Sequence, residues 1–74
     1  MRKKVSMKRY SILIQWSDED QLYIATLAEF GPYVRTHGNT YQEALRSAEK
    51  LLENIIRHYQ DQGKELPQPA LVLS

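Results

Sequence analysis

The residues that could act as acids, bases or metal ligands are few and scattered in this chain. The densest carboxylate cluster is Asp18, Glu19 and Asp20. Three carboxylates can hold Mg²⁺, but two-metal nuclease chemistry needs them to project from rigid elements into one site. Consecutive residues of a tight loop point apart, and these three lack the fixed spacing of a calcium loop. The segment from Tyr10 to Trp16 carries no carboxylate at all. The two histidines, His37 and His58, have no cysteine to join them and no HxxxH or HxxE spacing, so a metal site is not expected. Neither histidine has a nucleophile or positioned water implied beside it. Gly31, Gly38 and Gly63 are too dispersed to form a phosphate-cradling loop. The expectation is a protein that is not an enzyme and takes no cofactor.

Charge is more informative than its total. The chain has 74 residues and a net charge of +1. Arg2, Lys3, Lys4, Lys8 and Arg9 lie in the first nine positions, so residues 10–74 hold five basic against nine acidic residues, a net −4. Residues 1–9 read as a basic, flexible arm and residues 10–74 as one domain. The arm can neutralise a few phosphates, giving weak and salt-sensitive nucleic-acid binding. A domain of this size buries only about 60% of its unfolded surface. Without cysteine, disulfides cannot supplement it, so self-association is the expected stabiliser. No apolar run is long enough to span a membrane, the arm has no secretory apolar stretch, and a cytoplasmic location is expected.

Positioning falls to a small set of elements. Arg9 to Trp16 is a strand by period-two alternation, with Tyr10, Ile12, Ile14 and Trp16 on one face. Ser17–Asp20 is the polar turn, and Gln21 to Ala28 the returning strand. A four-residue loop at 17–20 pairs Trp16 with Gln21, Ile14 with Tyr23, Ile12 with Ala25 and Tyr10 with Leu27. It also places Leu13 opposite Ile24 on the other face. Gly31-Pro32 breaks the chain, and a short third strand follows from Tyr33 to His37. Most of the aromatics fall on core phases, while Phe30 and Tyr33, beside the Gly-Pro turn, could be exposed. Thr40-Tyr41-Gln42-Glu43 fits a capping box, with Thr40 and Glu43 as its partners. Apolar residues then recur at three and four through Tyr59, the pattern of one long amphipathic helix. Gly63 fits its C′ position, Leu66-Pro67-Gln68-Pro69 an extended exit, and Ala70 to Leu73 a last strand.

The predicted fold class is α+β, in the order β-β-β-α-β. A right-handed crossover would lay the last strand parallel beside the first, forming a mixed sheet with the helix on one face. The other face keeps Leu13, Leu22 and Ile24 together. Three adjacent aliphatics on a domain this small point to self-association, as a homodimer or higher homo-oligomer.

Several of these segments, taken in order, resemble the HicB antitoxin family. They are Tyr10-Ser-Ile-Leu-Ile-Gln-Trp, the acidic turn Ser17-Asp-Glu-Asp, Tyr23-Ile-Ala-Thr-Leu and Gly38-Asn-Thr-Tyr-Gln-Glu-Ala-Leu45. The resemblance covers about residues 8 to 73. It rests most on the Gly-x-Thr-x-x-Glu-Ala segment after a three-strand meander, with Leu66-Pro-Gln-Pro also fitting.

The resemblance implies a degenerate, partial ribonuclease H-like fold. It also implies a non-catalytic antitoxin of a toxin–antitoxin system, which binds and masks a small HicA-type RNA-cleaving toxin. The family's Pro-Glu-Leu-Pro-Gly-Cys-like stretch is here Ala28-Glu29-Phe30-Gly31-Pro32-Tyr33. Glu29, Phe30, Gly31, Pro32 and Tyr33 are therefore the expected partner-binding residues, adapted to a particular toxin. The C-terminal DNA-binding module of longer members has no counterpart before Ser74, so operator binding is not expected. The alternative is a nucleic-acid-binding or regulatory homo-oligomer without a toxin, using Arg2, Lys3, Lys4, Lys8 and Arg9.

Overall fold

A computed structural model describes residues 10–31 and 33–68. The basic arm, Pro32 and the expected last strand at Ala70–Leu73 lie outside the described residues. Within them the chain runs as β1 (Ile12–Ser17), β2 (Leu22–Leu27), a single 3-10 turn (Ala28–Phe30), β3 (Arg35–Gly38) and α1 (Tyr41–Asp61). The sheet has the order β1-β2-β3, with both pairings antiparallel. One long helix follows it and covers one face, so the β-β-β-α arrangement of the α+β class is present.

The hairpin register differs from the expected one by two residues. Ile12 pairs with Leu27, Ile14 with Ala25, Trp16 with Tyr23 and Ser17 with Leu22. Gln21 explains the shift. It adopts a left-handed backbone, φ 56°, and therefore belongs to the turn and not to the strand. Its N–H donates to the Ser17 carbonyl at 2.8 Å, and its side-chain amide donates to the Asp18 carbonyl at 2.8 Å. Ser17 Oγ accepts from the Asp20 N–H and donates to Asp20 Oδ2, each at 3.3 Å. A two-residue slip preserves the side-chain parity, so the faces are those expected. The pairing across the outer face is corrected: Leu13 opposes Thr26 and Ile24 opposes Gln15, leaving Leu13 and Ile24 diagonal neighbours.

The inner face carries Ile12, Ile14 and Trp16 from β1, Tyr23, Ala25 and Leu27 from β2, and Thr36 and Gly38 from β3. Against it α1 buries Ala44, Ala48, Leu52 and Ile56. Among the described residues Leu27 and Leu52 are the largest fully buried side chains, and small residues at 25, 44 and 48 let helix and sheet approach closely. The closest approach is at Gly38, where an added Cβ would lie 2.3 Å from the Ala44 nitrogen.

The two helix ends are closed by side chain and backbone. Thr40 Oγ1 accepts from the Glu43 N–H at 3.0 Å. Glu43 reaches back one residue beyond the cap, and its Oε1 accepts from the Asn39 N–H at 3.3 Å. At the far end Gly63 takes φ 65°, Gly63 N–H donates to the Gln60 carbonyl and Lys64 N–H to that of Tyr59. This pair of bonds is the Schellman arrangement, and it needs a residue that tolerates positive φ.

β1 starts at Ile12, because the N–H of the residue before it is used elsewhere. The Ser11 N–H donates to both Glu29 carboxylate oxygens, at 3.0 and 3.2 Å, and Ser11 Oγ to Oε2 at 3.1 Å. Tyr10, buried, donates its hydroxyl proton to the Pro67 carbonyl at 2.9 Å. Its ring stands 5.1 Å from that of Phe30, which in turn stands 5.9 Å from Tyr59. This aromatic row closes one end of the inner face.

Candidate functional site

The expected partner-binding loop is a compact bridge between β2 and β3. Leu27 N–H donates to the Val34 carbonyl at 3.0 Å, which pins the loop at its neck. Inside the neck, Gly31 turns the chain at φ 110°, a backbone that favours glycine. The loop's side chains then divide by role. Phe30 packs against the core, and Glu29 is held on Ser11. Tyr33 is 88% exposed, the most solvent-accessible large hydrophobic residue among the described residues. Pro32 is outside the described residues.

Beside Tyr33 the loop forms one wall of an open apolar groove of about 260 Å³. Phe30 and Val34 line that wall, and Asn54, Ile55, His58 and Tyr59 of α1 line the other. Ile55 and Tyr59 are only partly buried, so the apolar stripe of α1 extends past the cover that β3 and the loop supply. Such a groove can accept an apolar side chain, with Asn54 and His58 available to its polar neighbours. Of the loop residues expected from sequence only Phe30 lines the groove; Val34, Asn54 and His58 are not singled out for it, and Ile55 and Tyr59 read as further core positions.

The remaining candidate residues are distributed elsewhere. Leu13, Leu22 and Ile24 share the outer face with Arg35 and His37, and Leu13 is 51% exposed. His37 on the outer face and His58 on α1 are not brought together. Asp18 and Asp20 bind Trp16 and Ser17, respectively, within their own turn. Among the described residues no group of three His, Asp or Glu could hold a metal ion. No helix among them is long and apolar enough to cross a membrane.

One aromatic expectation is corrected. Trp16 and Tyr41 are placed on core phases by the sequence, yet they are 48% and 57% exposed. The helix lies over β2 and β3 more than over β1, and it begins only at Tyr41, so the end of β1 extends past its cover. No protein-family model, curated protein or solved structure matches this chain.

Proposed function

We propose that the chain is a non-catalytic, HicB-like antitoxin module that binds and neutralises a small, basic, HicA-type RNA-cleaving toxin. The observation that carries this reading is the solvent-exposed Tyr33 beside an open apolar groove, on the loop where the sequence resemblance places the partner contact. An exposed aromatic next to a pocket is the composition of an interface hot spot. The net −4 of residues 10–74 complements a basic nuclease and accelerates encounter with it. Masking requires no chemistry from this chain, and the dispersed titratable groups are consistent with that.

Co-expression with a HicA-type toxin tests the reading. The chain should relieve growth arrest and co-purify with the toxin, with association slowing as salt rises. Tyr33→Ala should weaken the complex by about 2 kcal/mol, the size of a hot-spot truncation. Absence of a complex at micromolar concentration, with toxicity unrelieved, refutes it.

A further inference from the structure

The end of the inner face away from Tyr10 carries a second aromatic row, whose members Trp16 and Tyr41 stand about half in solvent while Tyr23 packs against the core. Trp16 and Tyr23 are cross-strand partners with ring centroids 5.0 Å apart at 69°. Tyr41, the first residue of α1, meets Tyr23 at 6.0 Å and 83°. Edge-to-face packing fixes the three rings relative to one another. Trp16 is fixed further, because its Nε1 donates to Asp18 Oδ1 at 2.8 Å. Asp18 belongs to the turn whose backbone Ser17 and Gln21 lock. The indole is therefore held at the surface, and it lies outside the cluster that gathers Ile12, Ile14, Tyr23, Ala25 and Leu27 from the same face.

The neighbouring charge decides what such rings can bind. Asp18, Glu19 and Asp20 are all exposed, and among the described residues none is paired with a cation. A negative border repels phosphate and so opposes base stacking by a nucleic acid. It attracts a cation, which is also what the π face of Trp or Tyr prefers. Guanidinium fits both needs, being planar, weakly hydrated and able to stack.

We propose that the Trp16–Tyr23–Tyr41 row docks an arginine-bearing basic segment of the protein partner. This rests on reading the chain as a module for a basic partner, and adds a second contact to the groove beside Tyr33. Tyr41 and Tyr59 mark the two places on α1, about 27 Å apart at 1.5 Å of rise per residue. A partner engaging both spans most of the helix.

Trp16 is the single tryptophan of the chain, so its emission reports on the row directly. The test titrates the full chain with an alternating arginine–glycine peptide. A saturable change in emission is expected, and Tyr41→Ala should weaken it about three- to fivefold, the size of one exposed cation–π contact. Tyr33→Ala should leave peptide binding unchanged while weakening the toxin complex. The proposal is overturned if the peptide gives no saturable change. It is equally overturned if a lysine–glycine peptide of the same charge binds as well with Tyr41→Ala without effect, since charge alone then suffices. A saturable response to oligouridylate in place of the peptide overturns it too. Peptide binding without toxin binding upholds the row and removes the antitoxin reading; toxin binding without peptide binding does the reverse.

Discussion

A methyl group at Gly38 would lie 2.3 Å from the Ala44 nitrogen and 2.7 Å from the Glu43 carbonyl carbon. Both are backbone atoms, so relief requires moving α1 off β3. Gly38→Ala should therefore cost about 2–4 kcal/mol, in the range of severe overpacking. Gly63 is the contrasting case, with open space around it but φ 65°. There Gly63→Ala should cost about 1 kcal/mol, the strain of a left-handed alanine. Urea denaturation of the two variants checks the ranking, and equal losses would contradict the close-approach argument. Glu29→Gln keeps shape but turns one acceptor oxygen into a donor facing Ser11. It should lower stability by about 1–2 kcal/mol in the same assay. The sequence shows Gly38 and Ala44 as the two ends of one motif, but not that the first turn of α1 returns against Gly38 closely enough to exclude a side chain. Glu29 illustrates the same limit, since its carboxylate serves a partner eighteen residues earlier in the chain.

The elements differ in how well their sequences announce them. The α1 stripe and both caps are readable because helix period, Thr40 and Gly63 act locally. Thr40→Ala removes the acceptor for the Glu43 N–H and should cost about 1 kcal/mol, read by thermal or urea unfolding. A neutral outcome would mean that tertiary packing alone holds the first turn. The hairpin is readable in its parity but not in its register. Glutamine does not advertise a left-handed backbone as glycine or asparagine does, so the turn reads one residue too early. The groove is invisible in sequence because its walls lie on the β2–β3 loop and on α1, twenty or more residues apart, and only tertiary packing brings them together.

At the scale of the molecule, one sheet face has no covering layer among the described residues. Leu13 is half exposed there, with Ile24 its diagonal neighbour and Leu22 further along β2 on the same face, and the domain is small for independent stability. Sedimentation at micromolar concentration should show a dimer or larger species, and Leu13→Asp should return it to a monomer with unchanged circular dichroism. A wild-type monomer removes self-association from the account. The α+β order was legible throughout residues 10–68, because alternation and helix period are properties of sequence. How far α1 reaches across the sheet was not, and that reach decides which aromatics stay wet.

The hydroxyl of Tyr10 and the carbonyl of Pro67 meet at 2.9 Å, joining the stretch before β1 to the stretch after α1. The bond is a non-covalent clasp across fifty-seven residues of sequence. Fraying of either flank must break it first, so the two flanks open together and not separately.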